Sequence, residues 1–160
     1  MIEVRKAEEK DVDRIIELLR QVLEVHAAIR PDIFVSGGTK YKKEELTALL
    51  ADESRRSCVA VDEDGRVLGY ALCELKLPRP SNVLAPLKIL YVDDLCVDER
   101  ARGRGVGRSL FEFVKAEAKR LSCYEITLNV WEGNDAARAF YDKMGMKPKE
   151  TQMEFILGDV

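Results

Sequence analysis

Histidine is almost missing from this chain of 160 residues, with His26 standing alone. The four cysteines, Cys58, Cys73, Cys96 and Cys123, form no C-x-x-C pair. Together these shortages exclude the clustered Cys/His ligands that a zinc site needs, so no metal is expected. Three of the cysteines sit in apolar, strand-like runs and read as buried free thiols, because Cys packs as a small hydrophobe. No apolar run approaches the ~20 residues that cross a bilayer, so no membrane partner is expected. A basic excess is missing too: the formal charge of -3 argues against a general nucleic-acid binder. Met1 to Arg5 opens directly into structured-looking sequence, which predicts no signal peptide and a cytoplasmic protein.

What is present is ordinary for a globular protein, with 46% hydrophobic and 34% charged residues. The length fits one domain over residues 1–160. Ile2 to Arg5 alternates like a strand. Glu8, Glu9 and Asp11 favour a helix start, and Val12, Ile15, Ile16, Leu19, Val22 and Leu23 then follow at helical spacing. That helix should fade before Pro31. Residues 31–39 read as a loop and Lys42 to Ala51 as a short helix. Two strand-like runs, 57–61 and 67–77, flank Asp62-Glu63-Asp64-Gly65, a hairpin signal. After a proline-marked break, Ile89 to Val97 reads as a strand carrying the adjacent acids Asp93 and Asp94. A helix with Leu110, Phe111, Val114, Ala118 and Leu121 on one face follows. Ile126, Leu128 and Val130 alternate as a strand, Asn134 is placed to cap a helix that Gly145 ends, and Thr151 to Leu157 supplies a last strand. The order β-α-α-β-β-β-α-β-α-β predicts an α/β fold (α+β in its mixed sheet), antiparallel in its first half, with helices on both faces.

Arg102-Gly103-Arg104-Gly105-Val106-Gly107-Arg108 lies between a strand and a helix. Glycines there let the backbone turn sharply and approach a ligand closely. The next helix offers unpaired N–H groups and a partial positive charge, and the arginines can add charge-assisted bonds, so the turn suits a phosphate. A P-loop would need Gly-Lys-Ser/Thr, but Gly107 is followed by Arg108-Ser109. A dinucleotide fingerprint would need G-x-G-x-x-G, but the glycines fall at 103, 105 and 107.

The turn instead resembles the pyrophosphate loop of the GNAT superfamily of acetyl-CoA-dependent N-acetyltransferases, Gln/Arg-x-x-Gly-x-Gly/Ala. Arg102, Gly105 and Gly107 match every defined position. Residues 134–146 are similar to the family's Asn-x-x-Ala-x-x-Phe/Leu-Tyr-x-x-x-Gly-Phe segment, departing only at Met146. The resemblance spans roughly the whole chain, with specific motifs between about 90 and 146. It implies the GNAT-like acyl-CoA N-acyltransferase fold and acetyl-CoA as co-substrate, with Arg102 to Arg108 and Asn134 on the cofactor. Leu95, Cys96 and Val97 would lend main-chain groups to the pantetheine arm. A homodimer is one option the family offers.

The resemblance also implies direct attack of an amine on the thioester, with Tyr141 as general acid toward the departing sulfur. Helical spacing alone favours reading Tyr141 as a core residue beside Phe140, and the family motif reverses that preference. Bringing an alkyl ammonium of pKa ~10.4 to its neutral form at pH 7 costs about 4.6 kcal/mol, whereas an α-amine costs about 1 kcal/mol. A base therefore matters most for a lysine-like or polyamine acceptor. Asp93 is favoured for it and Asp94 comes second; since successive strand residues face opposite sides, one of them is expected to enter the acceptor site. Some polyamine-acetylating relatives carry such an acidic pair, while a structural pairing with nearby arginines is the alternative. Peptide acetylases of the superfamily often carry a glutamate where this chain has Asn129, which cannot act as a base. Cys96 lacks a histidine partner and reads as structural. Arg138 and Lys143 could reach the 3′-phosphate of CoA or simply face water, and Arg30, Lys40, Lys42 and Lys43 are expected to face water. The favoured acceptor is a small-molecule amine, polyamine-like or amino-sugar-like. A protein N-terminal or lysine acetylase, and a non-catalytic acyl-CoA sensor, are the alternatives.

Overall fold

The computed structural model of the chain describes residues 1–158. Five strands, β1 (Glu3–Lys6), β2 (Cys58–Val61), β3 (Val67–Lys76), β4 (Ile89–Val97) and β5 (Glu125–Thr127), form one sheet in sequential order. The pairs from β1 to β4 are antiparallel, and β4 and β5 run parallel. Helices α1 (Val12–Ile29) and α2 (Lys43–Ala51) cover one face, α3 (Val106–Arg120) covers the other, and α4 (Asp135–Lys143) follows β5. The expected mixed α/β architecture is therefore present.

Local chemistry explains the main boundaries. Arg5 forks onto both oxygens of Asp11 at 2.8 and 2.9 Å, fixing the first strand against the start of α1. Ile15, Leu18 and Leu19 are fully buried on that helix, and it stops at Ile29, one residue before the Arg30-Pro31 step. The β2–β3 hairpin turns where Gly65 takes a φ of 79° and the Asp62 carboxylate accepts from the N–H groups of Asp64 and Arg66. Cys58, Cys73 and Cys96 are buried and unbridged. None of the helices is long and apolar enough to cross a membrane, among the described residues.

Two expectations fail. The alternation over 126–130 yields a strand of only three residues, because the chain leaves β4 after Thr127. The tenth element does not form: Thr151 to Leu157 is exposed and joins no strand. Its alternation is genuine, but a strand needs backbone partners, and this segment finds none among the described residues.

Gly69 controls how closely α3 settles on the sheet. A Cβ at this position would lie 2.7 Å from the Cys96 carbonyl oxygen, 3.1 Å from Val106 Cγ1 and 3.2 Å from Leu110 Cδ1. Gly69→Ala should therefore lower stability by about 1–3 kcal/mol, the usual cost of overpacking. A urea midpoint equal to that of the parent would contradict this packing.

Candidate active site

The site begins where β4 and β5 part. Their ladder holds only the three pairs from Ile89↔Glu125 to Tyr91↔Thr127. Beyond it, Val92 to Val97 present to the gap an edge of main-chain N–H and C=O groups unmatched by β5. Such an edge takes an extended ligand by strand-like hydrogen bonding. Leu95 and Val97 turn their side chains into the α3-side core, and Cys96 is buried on the α1 side with Sγ 3.6 Å from the Leu18 carbonyl. All three thus have only backbone to offer the gap. Burial pushes the Cys96 thiol up to about 12, which leaves it protonated and inert.

The glycine turn lies just beyond the end of β4. Gly103 and Gly105 adopt φ of 80° and 78°, a region that favours glycine. Gly105 is the N-cap of α3 and supplies no side-chain cap, and the helix's first bond runs from Ser109 N–H to the Gly105 carbonyl. The N–H groups of Val106, Gly107 and Arg108 are thereby left for a ligand. Arg102, Arg104 and Arg108 are exposed around the turn, whereas the Val106 side chain is core.

Helix α4 reaches this turn through Gly107, where a Cβ would meet the Phe140 ring at 3.0–3.1 Å. Asn134 caps α4 by accepting from Ala137 N–H at 3.3 Å, so its carboxamide oxygen is already engaged. With Phe140 directed onto α3, the neighbouring Tyr141 phenol is set near Asp94. Burial first, and then the Asp94 charge, raise its pKa, keeping it a proton donor. Arg138 pairs with Asp142 at 3.2 Å on the outer face of α4.

The two acids do not diverge as strand alternation predicts. The β3–β4 register passes from Leu72↔Asp94 to Cys73↔Val92, so Asp93 is the extra residue of a β-bulge. The bulge resets the alternation and turns both carboxylates toward the α1/α2 side. Asp94 accepts from Tyr70 Oη at 2.9 Å. Burial raises its carboxyl to about 6, with Lys40 and the Tyr70 bond pulling the other way. Asp93 is held by Tyr41 Oη, by Lys40 Nζ at 3.1 Å and by Arg55 Nη2 at 3.5 Å. Lys40 therefore does not simply face water, and Arg30 pairs with Asp32 and Glu154. Arg55 also bonds Glu74 at 3.1 Å, and Asn129 reaches Tyr91 Oη at 3.3 Å. Sequence reasoning missed Tyr41, Arg55 and Tyr70, since they reach the acids from 52, 38 and 24 positions away in the chain, with no local motif.

Comparisons with known proteins bear on the family and the fold. The model of the acetyltransferase (GNAT) family matches residues 17–146. Glucosamine 6-phosphate N-acetyltransferase of Arabidopsis thaliana is 35% identical over 39% of this chain, a match that spans 40% of that protein's length. Peptidyl-lysine N-acetyltransferase YjaB of Salmonella typhimurium is 27% identical over 92% of this chain and 84% of its own length. Among solved structures, a mutant of the BH1408 protein from Bacillus halodurans superposes with a TM-score of 0.93 at 33% identity, covering 97% of this chain and 99% of that one.

The Asp94 environment has a stability signature. A folded-state pKa raised above the unfolded value favours the protonated carboxyl, so its stabilising share is complete below about pH 4 and lost as pH rises through about 6. Asp94→Asn should accordingly gain on the order of 2 kcal/mol over the parent at pH 8, and little at pH 4. Urea unfolding at both pH values checks the difference; a gap independent of pH would refute the burial argument.

Proposed function

This chain belongs to the acetyltransferase (GNAT) family, and we propose that it is an N-acetyltransferase that acetylates the primary amine of a small molecule. The observation that carries the reading is the meeting of three features at one gap: an open β4 edge ending at a phosphate-suited turn, a protonated phenol at Tyr141, and a carboxyl at Asp94 poised near neutrality. Acetyl-CoA supplies an acetyl group activated as a thioester. Its pyrophosphate suits the N–H groups and arginines of residues 102–108, and its pantetheine arm suits the main chain of Leu95, Cys96 and Val97. The backbone hydrogen bonds this edge offers also orient the thioester carbonyl.

Asp94 is our choice for the base. Asp93 spends its charge on Lys40, Tyr41 and Arg55, whereas Asp94 has a single phenolic partner and a pKa of about 6. Asp94 takes the proton of the acceptor ammonium, the freed amine attacks the acetyl carbon directly, and Tyr141 gives its proton to the sulfur as the C–S bond breaks. The proton the nitrogen sheds on becoming an amide restores the Tyr141 phenol, while Asp94 returns its own proton to solvent. Magnitudes refine the acceptor. Transfer from an alkyl ammonium of pKa ~10.4 to a carboxylate near 6 is uphill by about 6 kcal/mol, but only about 2.5 kcal/mol from an ammonium of pKa ~7.7–8.0. An amine acidified by neighbouring oxygens or a carbonyl, as in an amino sugar, fits better than a polyamine. The glucosamine 6-phosphate N-acetyltransferase likeness supports that class, and the YjaB likeness supports peptidyl lysine as the second reading.

Thiol release from acetyl-CoA over a matched panel of amino sugars, polyamines and lysine peptides tests the proposal, with amino sugars expected to show the highest kcat/KM. Tyr141→Phe should lower kcat about 10²–10⁴-fold, the usual range for a positioned acid. Asp94→Asn should remove the ionisation near pH 6 from the kcat/KM profile. Unchanged turnover in the first variant, or an intact limb in the second, would reject those assignments.

A further inference from the structure

Asp98 takes no part in the chemistry above, yet its carboxylate is only 3% exposed. It stands where β4 ends and the chain sets out toward the glycine turn. Its N–H bonds the Leu68 carbonyl at 2.8 Å, one step past the last β3–β4 pair at Gly69↔Val97. Its side chain caps the short turn Glu99–Ala101 by accepting from the Arg100 N–H at 3.1 Å, and its carbonyl accepts from the Ala101 N–H at 2.8 Å. A buried carboxylate is costly unless it is paired, and here two side chains of α1 pair it. Arg14 Nη2 bonds Asp98 Oδ2, and the same guanidinium reaches the Val67 carbonyl through Nε at 3.0 Å and Glu17 through Nη1 at 2.8 Å. Gln21 lies two helical turns further along the same face. It donates from Nε2 to Asp98 Oδ1 at 3.4 Å and accepts from the Glu99 N–H at 3.3 Å. Burial pushes the Asp98 carboxyl up, but the Arg100 N–H, Arg14 and Gln21 more than offset this and hold it below the usual carboxylate range.

We propose, on the reading that the glycine turn takes the acetyl-CoA pyrophosphate, that Asp98 is a positioning residue for it: clamped to α1, it fixes the entry of the turn and so aims the N–H groups that meet the diphosphate. The turn needs such a clamp. Arg102 to Gly105 are all exposed, and the stretch enters the core only at Ala101 and at Val106. Its two glycines, Gly103 and Gly105, leave the backbone between those points many alternatives. The direction of its N–H groups therefore depends on how its two ends are held. Helix α3 holds the far end, and the Asp98 cluster holds the near one. Asp98 reaches neither the diphosphate nor the reacting atoms in this arrangement; it acts through the turn.

Calorimetric titration of the full-length chain with CoA, joined to a comparison of two acetyl donors, tests this. Asp98→Ala should raise the Kd for CoA about tenfold or more, equivalent to losing one charge-assisted hydrogen bond to the diphosphate. Acetylpantetheine keeps the thioester and the pantetheine arm but lacks the diphosphate. With the fastest amine of the panel above, kcat/KM for acetyl-CoA should fall by the same factor while kcat/KM for acetylpantetheine stays within about twofold of the parent. Should Asp98→Ala not fold, Gln21→Ala replaces it and should raise the Kd for CoA about threefold or more, with the same indifference toward acetylpantetheine. A parent that binds CoA and a variant that binds it equally well would overturn the role of Asp98 alone. An equal loss with both donors would do the same, since it marks a general structural effect. A parent that does not bind CoA would overturn the reading of the turn and this proposal with it.

Discussion

The loss of pairing between β4 and β5 after Tyr91 is the constraint on which the site depends. Parallel neighbours ordinarily continue their ladder, because an unpaired buried backbone group costs about 1–3 kcal/mol. Here the chain beyond β5 is drawn elsewhere. Trp131 packs edge-to-face on Phe34 at 5.0 Å between ring centroids, and Phe34 lies 5.1 Å from His26. Gly133, with a φ of 97°, passes so close to α1 that a Cβ would sit 3.0 Å from Ile29 Cγ2. These contacts with the end of α1 hold the β5 continuation away from β4. The main chain of residues 92–97 is left in a gap that an extended acyl carrier can fill.

Charge is arranged around that gap so that two adjacent acids behave differently. Placing both on one side of the sheet sets like charges together, and the Asp93 charge is one of the influences that raise Asp94. Lys40 and Arg55 compensate Asp93 directly. Tyr41 shares the Asp93 carboxylate, and burial beside it pushes that phenol up to about 12. Asp94, deeper and with a phenol for a partner, carries the desolvation cost and so titrates close to neutrality. The bulge at Asp93 therefore creates an electrostatic distinction that a regular strand could not.

Much of this was legible in the residues themselves, where the signal was local. Arg102 to Arg108 announced a glycine turn that opens a helix, Asp62 to Gly65 a hairpin, and the Asn134 cap a helix carrying Tyr141. The alternation of 151–157 was read correctly as strand chemistry and wrongly as a strand, because pattern reports which sides of a segment differ and not whether a partner exists. The acids were misplaced for a related reason: one extra residue inverts the alternation, and nothing in Tyr91-Val92-Asp93-Asp94-Leu95 marks where it falls. Tyr41, Arg55 and Tyr70 were invisible since their roles depend on pairing across long stretches of chain.

Helix α3 ties the separate parts together through two missing side chains. Gly69 lets the helix sit against the Cys96 carbonyl, and Gly107 lets Phe140 sit against the helix. Val106 and Leu110 are packed at the first contact, so the N–H groups of the turn are fixed relative to β4 by the core itself. Phe140 then fixes α4 relative to that same helix end, and Tyr141 follows Phe140 in sequence. The phosphate-suited turn and the phenol are thus held by a common rigid element. An added methyl group at either glycine would shift one of them against the other, and displacement of reacting groups by about 1 Å is enough to cost 10²-fold in rate. The two glycines matter less for flexibility than for the close approach that keeps the turn and the phenol in register.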